Sequence, residues 1–387
     1  MTRFTLTEDL PCSADVAWTL LTDPARMRLW SSAPVTLADP GVGGRPDTLG
    51  TIRRITLPHG RVAFLEIVEA SERPHLFRYR VFRAGPLLRH HRGEQQIVAL
   101  PDGCRVVWTV DVELLAPLLG RLMVGYLRRE VRASLGALRR YVLQHGRDLD
   151  GVDPGLSPAP DHVPVTADRL QALAAAAHVS LVEQRAIAEE LADEDDPKQW
   201  FARVYQYVTE EMIDAASDPE SPLTLTNRDW VLALIPTFHE YFIDNLDRYR
   251  HGLPAEPAWQ TAWSMCERTN PDNPALPVMR GLLAGVAAHI EADLPRALAR
   301  VHRAEFADRD LREFRPDYLR LAPVFSTASD RLLADLPKHY TPWWVVPIRR
   351  LHPNFLDAAL ARSGYDVARH RLRAFAAATE LCDDAAL

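Results

Sequence analysis

Lysine is almost missing from these 387 residues: it occurs only at Lys198 and Lys338, and arginine supplies the rest of the positive charge. No block of basic residues appears, and the formal net charge is −7. A nucleic-acid groove or a face that docks on anionic lipid needs clustered cations, so neither is expected. The arginine bias reads as GC-rich coding, of the kind found in actinobacteria. Cysteine is scarce as well. Cys12, Cys104, Cys266 and Cys382 stand far apart with no Cys-x-x-Cys spacing, which excludes a zinc knuckle and a disulfide framework. Long apolar runs are missing too, since no window approaches ~18 uninterrupted apolar residues. The opening MTRFTLTEDLPCSADVAW lacks the apolar stretch of a signal peptide. The expectation is a cytoplasmic protein with no integral membrane segment. No G-x-G-x-x-G, G-x-x-x-x-G-K-[ST] or G-x-S-x-G occurs, so dinucleotide, P-loop and nucleophile-elbow chemistry are not signalled. The glycines of PGVGGRP (40–46) read as a turn.

The chain is longer than one hydrophobic core usually serves, and it divides where regular patterning stops. Residues 144–165 hold four prolines, three glycines and no period of either kind. They predict domains over 1–145 and 166–387, with a linker over 146–165. The first part alternates as strands do. RFTLTEDL precedes a helix capped by Ser13 and a short helix, DPARMRLW, with Asp23 as cap and Pro24 at its first position. Strand stretches GTIRRITLP, RVAFLEIVEA, HLFRYRVFRA, LRHHRGEQQIVAL and CRVVWTVDVEL follow, and an amphipathic helix closes the part over about 118–143. The predicted order is strand, two short helices, about six antiparallel strands and one long helix.

That order, with DPARMRLW, GTIRR, the Glu66 strand, RYRVF and GCRVVWTVDVEL, resembles the SRPBCC superfamily of START-like, helix-grip proteins, which includes lipid carriers and polyketide cyclases. The resemblance covers about 1–145. It implies an α+β helix-grip fold, a sheet wrapped on a long helix, with a cavity for a hydrophobic or aromatic small molecule. Residues facing that cavity alternate along each strand. Trp30, Phe64, Tyr79 and Trp108 are the candidate ligand contacts, with Trp30 placed near the mouth. Glu66, His90 and His91 are the ionisable candidates for acid–base work. Neighbouring strand residues face opposite ways, so at most one of His90 and His91 looks inward. Aromatics that merely fill the core are the competing reading, and cyclisation or dehydration of the bound molecule is the enzymatic version of the binding one.

Beyond the linker, helical spacing dominates, which predicts an all-α domain. The helix at Phe201–Val208, FHEYFIDNLDRY, PAWQTAW and AHIEADLPRAL are similar to an actinobacterial all-helical family of unknown function. In AHIEADLPRAL, His289 and Asp293 continue a stripe begun by Leu282 and Val286, so both point inward. An interior carboxylate is costly unless paired, hydrogen-bonded or bound to a metal. Three readings stand side by side. With His239 as a third ligand, the pair would hold a divalent ion such as zinc, as in a metal-dependent hydrolase. Alternatively, Pro295 ends the helix at Leu294 and Asp293 caps the next one. Or the two side chains simply bond each other. Asp330, His339, His352 and His370 are weaker metal-ligand candidates. A further reading makes the whole chain a non-catalytic carrier whose helical half contacts a partner. Oligomeric state has no signature in the sequence.

Overall fold

The computed structural model describes residues 1–56, 63–84, 88–114, 117–145, 165–268, 270, 272–273, 275–337, 340 and 365–384, with side chains from 123 onward in the 117–145 helix. Residues 146–164 of the 146–165 linker, His339 and His352 lie outside the described residues. The chain separates into two compact units, Met1–Val163 and Pro164–Leu387.

In the N-terminal unit, β1 (Thr2–Leu10) leads into α1 (Ala14–Thr22) and α2 (Pro24–Met27). Both caps form as the sequence predicts: Ser13 accepts from the Val16 amide and Asp23 from the Ala25 amide. Six strands follow: β2 (Val35–Asp39), β3 (Ile52–Thr56), β4 (Ala63–Glu72), β5 (Leu76–Arg83), β6 (Leu88–Leu100) and β7 (Gly103–Leu114). The five predicted strand stretches are all present. β2 was not among them, because VTLAD is short and lies between prolines. The seven strands form one antiparallel sheet in the order β1-β7-β6-β5-β4-β3-β2, so the first strand pairs with the last. Helix α3 (Pro117–His145) lays Leu135, Leu138 and Val142 on the sheet, where they join Phe77, Ile97, Val106 and Val110 in one core. This is a helix-grip α+β fold. Each large apolar side chain buried there contributes roughly 1.5–3 kcal/mol over its exposed state.

The C-terminal unit is helical throughout its described residues. Its elements are α4 (Ala167–Asp193), α5 (Gln199–Ser217), α6 (Arg228–Arg250), α7 (Pro257–Cys266), α8 (Ala275–Ala288), α9 (Leu294–Glu305), α10 (Arg315–Arg320), α11 (Ala322–Asp335) and α12 (Val367–Asp384). Helix α8 continues into α9 through a single π turn, His289–Asp293. The prediction that Pro295 ends the helix is corrected here. Proline has no N–H to give the carbonyl four residues back, and its ring crowds that carbonyl. The wider turn removes the conflict, and the Leu294 amide bonds to the His289 carbonyl five residues back. The resulting rod, Ala275–Glu305, is the one described helix long and apolar enough to cross a membrane by length and composition alone. In this unit its Val278, Leu282 and Ala288 pack into a core with Phe201, Trp259 and Trp263.

Two glycines let the rod's neighbours approach. A Cβ on Gly281 would stand 2.0 Å from Cys266 Sγ and 2.8 Å from the Cys266 amide, and one on Gly285 would stand 2.8 Å from the Phe201 ring. Helix α7 therefore lies against the α8 backbone, and its far end brings Trp259 to Asp293.

Candidate functional site

In the N-terminal unit, antiparallel register decides which side chains share the inner face, because residues opposite each other across two strands point the same way. Opposite pairs Glu66–Arg53, Val68–Tyr79, Tyr79–Gly93, Gln95–Trp108 and His91–Val112 put Glu66, Tyr79, Trp108 and His91 on that face. His90 pairs with Glu113 and takes the opposite face. Phe64 shares the Glu66 face of β4 and is half-buried. Trp30 is corrected from a mouth position: it is 8% exposed, sits in the core, and donates its indole N–H to the Leu20 carbonyl at 2.9 Å.

Glu66 is not alone. Arg53 Nε donates to Glu66 Oε1 at 2.7 Å, and the other guanidinium nitrogens reach the same oxygen at 2.5 Å and the Thr22 carbonyl at 3.3 Å. The guanidinium also lies 4.7 Å from the Phe77 ring centre and 5.6 Å from that of Tyr79. Burial pushes the Glu66 carboxyl above its ordinary value, with Arg53 pulling it back. Beside this pair, Trp108 Nε1 donates to the Tyr79 hydroxyl at 3.2 Å, and burial raises the Tyr79 phenol. Tyr79 fits only because residue 93 is glycine, where a Cβ would meet the ring at 2.1 Å. The His91 ring centre lies 6.1 Å from that of Tyr79, and its buried Nδ1 has no hydrogen-bond partner among the described residues. Burial first, and His90 next, push its value down to about 4. Arg53 escaped the sequence reading because GTIRRITLP offers two adjacent arginines. Only the register says which one meets Glu66.

In the C-terminal unit, the π turn aims His289 and Asp293 at the same interior point. Asp293 caps nothing: its backbone is helical, at φ −84° and ψ −44°, and its side chain makes no capping bond. Instead Asp293 Oδ2 accepts the Trp259 indole N–H at 2.8 Å and lies 3.1 Å from His289 Nδ1. A His289 tautomer that donates to the Asp293 carboxyl oxygen carries its proton on Nδ1 and leaves Nε2 as an acceptor. His289 Nε2 is buried and has no partner among the described residues. Leaving such a group unpaired costs roughly 1–3 kcal/mol. The ring is clamped by Phe238, stacked at 3.6 Å between centres, and by the edge of Tyr205 at 4.6 Å. Burial lowers the His289 value against the pull of Asp293, and raises the Tyr205 phenol together with the Asp293 charge.

His239 has other partners than Asp293. Its Nε2 lies 3.1 Å from Glu183 Oε2 and its Nδ1 3.4 Å from Gln184 Nε2, and burial lowers its value. Phe238, one residue earlier and so about 100° round the helix, takes the place beside His289. Of the weaker candidates, His370 pairs with Glu291 at 2.7 Å. Among the described residues no three His, Cys, Asp or Glu side chains are grouped to hold a metal. His289 is among the residues that line a cavity of about 130 Å³, whose walls include Val204, Leu234, Leu282, Leu321 and Leu332. Trp259 lay in the PAWQTAW stretch, but nothing in that spacing ties it to a carboxylate 34 residues on.

Residues 180–386, more than half of the chain, match a family of unknown function, DUF5995. The chain belongs to the DUF5995 family. The DUF5995 region thus contains His239, His289, Asp293 and the cavity. Residues 1–143 match the family described as polyketide cyclase / dehydrase and lipid transport, which confirms the helix-grip resemblance ahead of the DUF5995 region. Solved structures similar to that N-terminal part include a START superfamily protein from Mycobacterium smegmatis, at 17% identity over 37% of this chain and 97% of that one, TM-score 0.32. A Thermobifida fusca protein is similar at 22% identity over 38% and 99%, TM-score 0.32. The di-domain ARO/CYC BexL from the BE-7585A biosynthetic pathway is similar at 13% identity over 37% and 47%, TM-score 0.32. Likeness at this level transfers neither activity nor ligand. No curated protein matches this DUF5995 chain.

Proposed function

We propose that the N-terminal unit binds a hydrophobic or aromatic small molecule against the inner face of its sheet. The observation that carries this reading is a polar constellation set inside an apolar core. It consists of the Arg53–Glu66 ion pair, the Trp108–Tyr79 hydrogen bond and His91 with its unpaired Nδ1. A buried ion pair adds little stability over apolar residues of the same volume, so its presence in a binding scaffold favours a role in recognition.

Binding stands ahead of cyclisation or dehydration. A general base must be free to take a proton near the working pH. Glu66 is engaged by Arg53, and His91, pushed down to about 4, is a neutral and weakly basic imidazole at pH 7. Both suit orienting a carbonyl or hydroxyl better than abstracting a proton. Native mass spectrometry of the full chain tests the reading. An apolar molecule is expected to travel with the protein and to be lost in His91→Trp, with circular dichroism unchanged. A ligand that His91→Trp retains, or wild-type protein that carries none and takes up no apolar dye, would overturn it.

A further inference from the structure

We propose that the cavity of the C-terminal unit is a second binding site, for a hydrocarbon group the size of a benzene ring, held by shape and dispersion contacts alone. The inference stands apart from the reading of the N-terminal unit, since it rests on different residues.

Three observations lead to it. First, the size fits: the cavity measures about 130 Å³, close to apolar cavities of about 150 Å³ that stay dry and take up benzene. Second, the wall offers a polar ligand little. Apolar side chains from α5, α6, α8 and α11, such as Val204, Ile235, Leu282 and Leu332, make up most of it. His289 adds no free nitrogen, because Nδ1 is held by Asp293 and Nε2 is buried. Arg371, the one cation in the wall among the described residues, donates to the Tyr318 carbonyl and lies 4.4 Å from the centres of the Tyr318 and Phe325 rings. The Tyr318 hydroxyl in turn donates to the Arg371 carbonyl, which leaves the hydroxyls of Tyr205, Thr209 and Ser329 on α5 and α11. A lone water needs two to four polar partners to be held, whereas a hydrocarbon needs none and gains dispersion contacts all round the wall. Third, one side of the wall is accessible. Met279, Leu283 and Val286 form a stripe along α8 and are only half-buried, while Leu282 beside them is 5% exposed. That stripe is the side from which an apolar molecule would enter, and its apolar surface is what the molecule would cover.

The test is calorimetric titration of the full chain with benzene and with phenol at pH 7. It is made on His91→Trp, in which the N-terminal site is blocked, so that the two readings fail separately. Benzene is expected to bind about tenfold tighter than phenol, whose hydroxyl gives up hydrogen bonds to water and finds no equal partner in the wall. Adding Leu282→Phe fills the cavity and should abolish benzene binding. No binding of benzene, phenol binding as tightly or more tightly, or benzene binding that survives Leu282→Phe would each overturn the proposal. If Leu282→Phe does not fold, Val286→Phe on the half-buried side of the wall takes its place, with the same loss expected. If neither folds, the benzene-to-phenol ratio decides alone.

Discussion

Inside the sheet of the N-terminal unit, Arg53 and Glu66 cancel each other's charge at 2.5–2.7 Å, and aromatic rings cover the guanidinium. Inside the helices of the C-terminal unit, Asp293 takes two hydrogen bonds and orients an imidazole whose second nitrogen is left over. Both units bury polar groups at a comparable depth, yet the Arg53–Glu66 pair is closed while His289, like His91, keeps one buried nitrogen without a partner among the described residues. The difference separates two uses of buried polarity. A closed pair shapes and rigidifies an interior, and its cost appears when one partner is removed. A buried nitrogen without a partner carries its cost in the native state.

The largest expected effect comes from breaking the closed pair. Glu66→Ala leaves Arg53 buried without a counter-charge and should cost about 3–5 kcal/mol, read from urea unfolding. Replacing both partners, as in Arg53→Met with Glu66→Leu, should recover most of that loss. Equal costs for the single and the double variant would show that the pair is not closed as described.

Next come the glycines that allow each arrangement. Gly281→Ala drives a methyl into the Cys266 backbone and should cost about 1–3 kcal/mol while parting Trp259 from Asp293, seen as a red-shifted tryptophan emission. Gly93→Ala drives a methyl to 2.1 Å from the buried Tyr79 ring and should cost a comparable amount. A larger loss for Gly93→Ala would mean that the sheet, not the helical rod, holds the tighter approach.

The third effect is on pH dependence. His91, His239 and His289 all have folded-state values below the ordinary 6.5, with burial as the main cause. The unfolded chain then binds protons that the folded chain refuses, so stability present above pH 6.5 declines as pH falls. For His91 the decline runs from 6.5 to about 4. Thermal unfolding between pH 7 and 4 should show it, and His91→Leu and His289→Leu should each flatten the slope. An unchanged slope in His289→Leu would place its imidazole in contact with water, contrary to its burial.

Much of this was legible in the residues. Ser13 and Asp23 cap helices because a short side-chain acceptor beside a helical run has one good use. His289 and Asp293 were found because two polar groups continued a buried stripe. Other features were hidden for stated reasons. Arg53 and Arg54 are equivalent until register chooses one of them. His239 and Phe238 are neighbours in sequence, and only the rotation of α6 decides which faces His289. Pro295 reads as a helix end by its local preferences, yet tertiary packing on both sides favours one continuous rod, and a π turn reconciles the two.

The sequence by itself determined what period-two and period-3.6 patterning, caps and turn residues can specify. That was a helix-grip sheet followed by a helical region, and an imidazole and a carboxylate set inward on one stripe. These follow from contacts between residues a few positions apart. Only the tertiary structure decided which distant groups complete them: Arg53 for Glu66, Trp259 for Asp293, and an apolar cavity for His289. Those partners are fixed by register between strands and by how closely glycines let helices approach, and neither distance is written in any local stretch of chain.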